Sequence, residues 1–168
     1  MKRAALLLCS AVLALASCKS PIPHLVWPQK DLEPVEYNDP SLPRRLLVAS
    51  RSTDFKAEVV RRLVDDLRGD QVYIRLIGVN QLRHAAANQY QAVVVVSTTM
   101  ARTLDPKVTA FLERVRDKSL VILITTSRHG AWLPDKGAYD ALSAASRMDD
   151  APRIAADAAA AVRRRLAP

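Results

Sequence analysis

The sequence predicts a three-layer α/β domain, in which helices cover both faces of a parallel β-sheet. Four short segments are apolar at almost every position, as are strands that are buried on both faces. These segments are residues 46–49, 72–77, 92–96 and 120–124. The stretches between them carry apolar residues at spacings of three and four, which is the pattern of a helix with one buried face. Alternation of such strands and helices is typical of a parallel sheet with right-handed connections.

Three helices have clear starts or ends. Residues 55–67 carry the apolar positions of the first helix, and Gly69 is expected to end it. Asp105-Pro106 combines an N-cap residue with proline at the first helical position, and therefore predicts the start of a second helix. Residues 150–152, Asp-Ala-Pro, open a last helix that is expected to run to about Leu166.

Less regular segments complete the predicted domain. Residues 80–88 are predicted to form a short helix with three side chains inward, namely Leu82, Ala85 and Ala86. Residues 127–138 contain a proline and two glycines, and predict a loop of twelve residues. Residues 139–145 are predicted to form a fifth strand, at the edge of the sheet.

The N-terminus begins with two cations, Lys2 and Arg3, and continues with an uncharged run over residues 4–16. A basic start, an apolar stretch and small residues at its end are typical of an export signal. The run is too short for a mature transmembrane helix, which needs roughly 20 apolar residues.

The end of this run, Leu15-Ala16-Ser17-Cys18, resembles the lipobox of bacterial lipoproteins. The resemblance implies a signal peptide over residues 1–17 that is removed, and a Cys18 that carries acyl chains such as palmitate and holds the protein on a membrane outside the cytoplasm. Lys19 stands where many inner-membrane lipoproteins of Gram-negative bacteria have aspartate. The resemblance therefore favours the periplasmic face of the outer membrane in a Gram-negative host. An ordinary secretory signal with a chance cysteine is the alternative.

Cleavage before Cys18 would leave 151 of the 168 residues, enough for one domain with a sizeable core. Cys9 would be removed and Cys18 acylated, which excludes cysteine catalysis and cysteine-based metal sites in the mature chain. Loss of Lys2 and Arg3 lowers the formal charge from +8 to +6. Outside the cytoplasm, a basic chain is attracted to anionic lipid or polysaccharide surfaces, and nucleic acid is not an expected partner.

Prolines are concentrated between the predicted anchor and the first strand. Residues 19–43 contain six of the ten prolines. Because proline fixes φ and lacks an N–H donor, residues 18–43 are predicted to form an extended, irregular tether. The globular domain is then predicted over residues 44–168.

Three polar segments follow predicted strands, at residues 50–54, 97–103 and 125–130. In an open parallel sheet, ligands bind outside the carboxyl ends of the strands, where the strand order switches, and these segments should meet there. Each segment carries hydroxyl groups and one arginine, which suit a phosphate or a carboxylate. The predicted anion-binding residues are Ser50, Arg51, Ser52, Thr53, Thr98, Arg102, Thr126 and Arg128.

Ser50-Arg51-Ser52-Thr53-Asp54, between a strand and an amphipathic helix, resembles the phosphate loop of flavodoxins, which usually reads Ser/Thr-x-Thr-Gly-Asn-Thr. Residues 89–96 and 105–112 are similar to the third strand and helix of that family. The resemblance covers about residues 44–168. It implies a flavodoxin-like, doubly wound sheet with strand order 2-1-3-4-5, and it implies non-covalent FMN used for electron transfer.

The chain departs from flavodoxins at the positions that matter for FMN. Thr53 replaces the glycine that lets the backbone close on the phosphate, Phe55 replaces the last hydroxyl, and Asp54 would place a negative charge near the phosphate. Trp132 is the residue that could stack on the flavin ring, although an isolated Trp in a loop more often anchors the loop. The fold resemblance is therefore stronger than the cofactor resemblance, and the favoured expectation is a domain without a cofactor.

A second flavin hypothesis concerns residues 140–146, Asp-Ala-Leu-Ser-Ala-Ala-Ser. They are similar to the Asp-Ala-x-Ser/Thr-Gly-Ala-Thr/Ser motif of exported proteins that receive FMN through a hydroxyl group. The resemblance implies Ser146 as the acceptor, but Ala144 replaces the glycine of the motif. The plainer interpretation is an edge strand that leads into the last helix.

Other chemistries have little support in the sequence. His24, His84 and His129 are isolated from one another and from carboxylate pairs, so no metal site is predicted. There is no Gly-x-Ser-x-Gly elbow and no Walker loop. The sequence therefore favours a non-catalytic binding or scaffold module at the cell envelope, for an anionic ligand or partner. An FMN-binding redox lipoprotein is the alternative, and a hydrolase in the same crevice is a third hypothesis.

Overall fold

The computed structural model describes residues 30–130, 132–134 and 139–167. The signal peptide, the lipobox with Cys18, and residues 18–29 of the predicted tether lie outside the described residues. Within the described part, no helix is long and apolar enough to cross a bilayer.

The described residues form a mixed β-sheet and three α-helices. In chain order the strands are β1 (Lys30–Asp31), β2 (Val35–Tyr37), β3 (Arg45–Ser52), β4 (Tyr73–Gly78), β5 (Ala92–Met100), β6 (Thr103–Leu104), β7 (Val121–Ser127) and β8 (Asp140–Ala145). The helices are α1 (Asp54–Leu67), α2 (Pro106–Arg114) and α3 (Ala151–Leu166).

The body of the sheet is parallel and has the order β4-β3-β5-β7-β8. Numbered along the chain, these five strands have the order 2-1-3-4-5, which confirms the predicted topology. The order switches between β3 and β5, so the carboxyl ends of these two strands flank the place where an open parallel sheet binds ligands.

Three short strands pair with this body in the antiparallel sense. β2 pairs with the outer edge of β4, β1 pairs with the end of β3, and β6 pairs with the end of β5. Residues 30–37, inside the segment predicted as an irregular tether, thus supply two strands. Strands of two or three residues have no periodicity that a sequence reading can detect, and it is pairing with β3 and β4 that makes them strands.

The helices lie on both sides of the sheet, as predicted. Helices α1 and α3 share one core with alternate side chains of the sheet, including Leu46, Val94 and Ile122. Helix α2 shares the other core with the opposite side chains, including Leu47 and Val95. The domain therefore has the three predicted layers.

The connection between β4 and β5 differs from the prediction. In place of one helix over residues 80–88 there are two 3-10 helices, Val79–His84 and Ala87–Gln89, and Ala86 is exposed. Leu82 is buried as expected, but the segment lacks the repeated apolar positions that hold an α-helix against a sheet. Short connections of this kind are commonly 3-10 helices.

Three strands run further than their apolar residues indicated. β3 continues through Ser52, β5 through Met100 and β7 through Ser127. Their hydroxyl groups bond to backbone carbonyls, as Thr125 Oγ1 does to the oxygen of Trp132 at 2.8 Å. Parts of the three predicted loops are therefore buried strand ends, since a satisfied hydroxyl is tolerated inside a sheet.

Candidate functional site

Arg51 lies on β3 at the switch point, and its charge is neutralised inside the protein. Its Nη2 donates to Asp105 Oδ2 at 2.6 Å and its Nη1 donates to Asp31 Oδ1 at 3.0 Å. The three side chains are 8%, 4% and 20% exposed for Arg51, Asp105 and Asp31. Asp105 also caps α2 by accepting from the Lys107 N–H at 2.9 Å. The guanidinium predicted to bind an external anion thus binds two carboxylates of its own chain.

Asp31 fills a small anion-binding position beside Arg51. Its Oδ1 accepts from the Val79 N–H at 3.1 Å and its Oδ2 accepts from the Asn80 N–H at 2.9 Å. A Cβ atom at position 78 would lie 2.6 Å from Asp31 Oδ2, so the glycine there makes room for the carboxylate. Strand β1 therefore places the Asp31 carboxylate where it binds two backbone amides and the Arg51 guanidinium.

Lys56 is the second buried cation of the site. It lies in the first turn of α1, is 1% exposed, and its Nζ donates to Thr98 Oγ1 on β5. The pKa of Lys56 is lowered from 10.5 to about 8, mainly by burial and also by the Arg51 charge, while the Asp105 charge acts in the opposite direction. Lys56 therefore joins α1 to β5 across the switch point.

The remaining residues of the predicted phosphate loop have local roles. Thr53 Oγ1 caps α1 and accepts from the Lys56 N–H at 3.4 Å. Asp54 is exposed in the first turn of the same helix, and Ser50 is buried, with its hydroxyl donating to the Arg51 carbonyl at 2.9 Å. Ser52 is half-buried at the end of β3.

Two predicted arginines face solvent at this edge of the sheet. Arg102 lies in the turn between β5 and β6 with φ of 58°, and Arg128 follows β7. Neither forms a salt bridge within the described residues. Thr126 is buried on β7 and its hydroxyl donates to the Ser97 carbonyl at 3.4 Å. Arg102 and Arg128, rather than Arg51, are therefore accessible to an external anion.

Trp132 and Ser146 lie near the other end of this edge. Trp132 is partly buried against the core on the α2 face, and its carbonyl accepts from Thr125 and from Ser143 Oγ at 3.1 Å. Ser146 is exposed just after β8, and its N–H donates to the Ser127 carbonyl at 3.0 Å. The tryptophan thus packs on the domain itself, while the Ser146 side chain is accessible.

These residues do not fit the phosphate of FMN. Arg51 is neutralised by Asp31 and Asp105, and the Thr53 hydroxyl oxygen already caps its own helix. A phosphate at the start of α1 would also meet the Asp54 carboxylate, and like charges repel. The switch point is filled by an internal ionic network instead.

Sequence reasoning missed Asp31, Lys56 and Asp105 as members of this network. The sequence identifies Asp105 only as a helix cap. Lys56 had a detectable signal, because it stands three and four positions before the buried Val59 and Val60 and so shares the inward face of α1. Asp31 had none, since only the pairing of β1 with β3 brings it to Arg51.

We expect Gly78→Ala to expel Asp31 and to lower the free energy of unfolding by about 2 kcal/mol, the typical value of a hydrogen bond to a charged group. The added Cβ would lie 2.6 Å from Asp31 Oδ2 and 2.7 Å from Asp31 Cβ. Urea unfolding of four proteins forms a double-mutant cycle: wild type, Gly78→Ala, Asp31→Ala and the double variant. The double variant should lose no more free energy of unfolding than the more destabilised single variant, because both substitutions remove the same Asp31 contacts. Losses that simply add would show that Gly78→Ala acts in another way.

Comparisons with known proteins agree with the strand order. No protein-family model matches the chain, and no curated protein matches it. Two mutants of a flavo-diiron protein from Thermotoga maritima match in structure, each with a TM-score of 0.50 and 14% sequence identity. The chain has a flavodoxin-like fold. The match covers 77% of this chain but only 37% of the flavo-diiron protein. A flavodoxin from the domain Archaea matches with a TM-score of 0.44 and 12% identity, over 71% of this chain and 99% of its own.

Proposed function

We propose that the chain is a lipid-anchored lipoprotein outside the cytoplasm, whose flavodoxin-like domain is a non-catalytic binding module for an anionic ligand or envelope partner. The lipobox-like Leu15-Ala16-Ser17-Cys18 supports the anchor, and the basic balance of the chain supports the charge of the partner.

The observation that carries the non-catalytic part of the proposal is the internal pairing of Arg51. A phosphate-bearing cofactor is held by donors that are free to meet it. At this switch point the guanidinium is bound by Asp31 and Asp105, and two neighbouring amides are bound by Asp31. An anionic partner would therefore meet the exposed cations of the domain and not this buried network.

The visible spectrum of the purified protein tests this proposal against the FMN alternative. The chain is expressed with its signal in a bacterium that makes lipoproteins. We expect a colourless protein whose addition to FMN leaves the flavin spectrum unchanged. Flavin absorption that is lost on denaturation would support a non-covalent redox site, and absorption that survives denaturation would support attachment at Ser146.

The FMN alternative, an electron-transfer lipoprotein, has the fold in its favour. The residues of the switch point oppose it, for the reasons of charge and space given above. If flavin is found after all, Ser146→Ala separates its two forms, because only a covalent flavin depends on that hydroxyl group.

The anchor has a direct test with a matched control in the same segment. Cys18→Ala is expected to abolish lipid labelling and retention in the membrane fraction, because the proposed lipoprotein is acylated on the Cys18 thiol. Cys9→Ala, within the predicted signal peptide, should leave both unchanged. Retention and labelling of the Cys18→Ala protein would contradict the anchor and favour an ordinary secretory signal.

A further inference from the structure

We infer that the groove between the β4–β5 connection and the end of α2 binds a small organic polyanion through phosphate or carboxylate groups. This inference rests on the proposed binding function and names its site. The groove has a volume of about 480 Å³. That size lies within the range of roughly 300–1,000 Å³ that is usual for small-molecule sites.

The groove exists because the β4–β5 connection, residues 79–91, forms no α-helix. Its two 3-10 helices cover less of the sheet than an α-helix would, and α2 ends at Arg114, so space remains between them. Arg114 Nη1 donates to the Arg83 carbonyl at 2.9 Å and Nη2 donates to the Leu82 carbonyl at 2.8 Å. One guanidinium therefore ties the two walls together and fixes the shape of the groove.

Three guanidinium groups line the groove without a carboxylate partner. Arg83, Arg114 and Arg116 form no salt bridge within the described residues, whereas Arg51, Arg61 and Arg163 elsewhere are each paired with two carboxylates. The acidic side chain on the groove wall, Asp117, is engaged locally. Its Oδ1 accepts from the N–H of Ser119 at 3.0 Å and from its hydroxyl at 2.6 Å. The groove thus carries an excess of positive charge.

The side chains that line the groove indicate which class of ligand it would bind. A guanidinium presents paired N–H groups that match phosphate and carboxylate oxygens. The lining also has an apolar part, because it includes the buried Phe111 and Val115 and the half-buried Leu120. A ligand with two or more anionic groups and an apolar portion would satisfy both parts.

Isothermal titration of the full chain in neutral detergent tests the inference, with pyrophosphate and citrate as probes. The variant is Arg83→Gln/Arg116→Gln, two exposed residues, so that Arg114 keeps its bonds to the walls. The control is Arg44→Gln/Arg147→Gln, which removes the same charge from two exposed positions outside the groove. We expect the groove variant to weaken binding at least about tenfold, the effect of losing one charge-assisted hydrogen bond, and the control to change it less than about twofold. If the double variant fails to fold, Arg116→Gln alone serves.

Each outcome decides the inference. Binding of either probe that depends on the groove pair supports it, and the tighter probe tells whether phosphate or carboxylate is preferred. Equal losses in both variants, or a loss in the control alone, would overturn it and leave the proposed binding function standing. Wild-type protein that binds neither probe also overturns it. In that case, sedimentation of the chain with vesicles of anionic lipid, against neutral vesicles, tests the proposed function separately.

Discussion

Asp105→Asn should lower the free energy of unfolding by about 3 kcal/mol, the lower end of the effect of removing one partner of a buried ion pair. The Asp105 side chain is 4% exposed, and its Oδ2 lies 2.6 Å from Arg51 Nη2. Asparagine is as good an N-cap as aspartate, so the cap of α2 is retained and the loss of charge is isolated. Asp31 remains as a second partner of Arg51, which is why the lower end is expected. Urea unfolding at neutral pH measures the change.

Asp65→Asn is the matched control, because it removes a carboxylate that is likewise paired with arginine, here Arg61 and Arg68, but is 41% exposed. Exposed pairs contribute about 0–1 kcal/mol, so this variant should be nearly neutral. A second variant, Asp105→Asn/Arg51→Met, removes the buried cation together with its partner and should recover part of the loss. A cost below about 1 kcal/mol for Asp105→Asn would contradict the view that the network neutralises Arg51.

Alkaline pH should stabilise the protein through Lys56. Its pKa is about 8 in the folded state, against 10.5 for an unperturbed lysine. Between these values the unfolded chain holds a proton at Lys56 that the folded chain has released, so stability rises with pH in this window. The two pKa values correspond to about 3 kcal/mol when the whole window is crossed.

Lys56→Met isolates this effect, since methionine is unbranched and fits the same buried space without a charge. We expect urea unfolding to give a rise in stability from pH 7.5 to 10 for the wild type, relative to the variant. The comparison is necessary because Tyr73, whose pKa is raised by burial, acts in the opposite direction in both proteins as the pH approaches the usual tyrosine value of 10. Parallel pH profiles for the two proteins would mean that Lys56 is solvated and titrates normally.

Most of the fold could be predicted because its elements have strong local patterns. The runs at 92–96 and 120–124 are apolar throughout, which predicts central strands with both faces covered, and β5 and β7 are such strands. The start of α2 followed from one cap and one proline, and Asp105 caps it as expected. Residues 80–88 have a weak pattern, because too few apolar residues repeat there. The predicted α-helix was therefore wrong, and the segment forms 3-10 helices.

The candidate site was harder to predict because hydroxyl groups and charges have the same sequence signature in a loop and in a strand end. Ser50, Thr125 and Thr126 looked like loop donors, yet they are buried and bonded to neighbouring carbonyls. Whether an arginine such as Arg51 is free depends on carboxylates that are 20 and 54 residues away in the chain. No local pattern carries that information.

The sequence by itself determined the layers, because they rest on short-range periodicity. Contiguous motifs carried two resemblances, one of the first residues to a lipoprotein signal and one of the domain to flavodoxins, and the second implied the strand order. Only the tertiary structure decided that Arg51 and Lys56 are buried and bonded to other side chains of the domain, while Arg83, Arg114 and Arg116 line the same groove. The physical reason is that a charge is neutralised by whatever the fold brings within hydrogen-bond distance. For Arg51 that partner is a two-residue strand, β1, whose only signal is its pairing with β3.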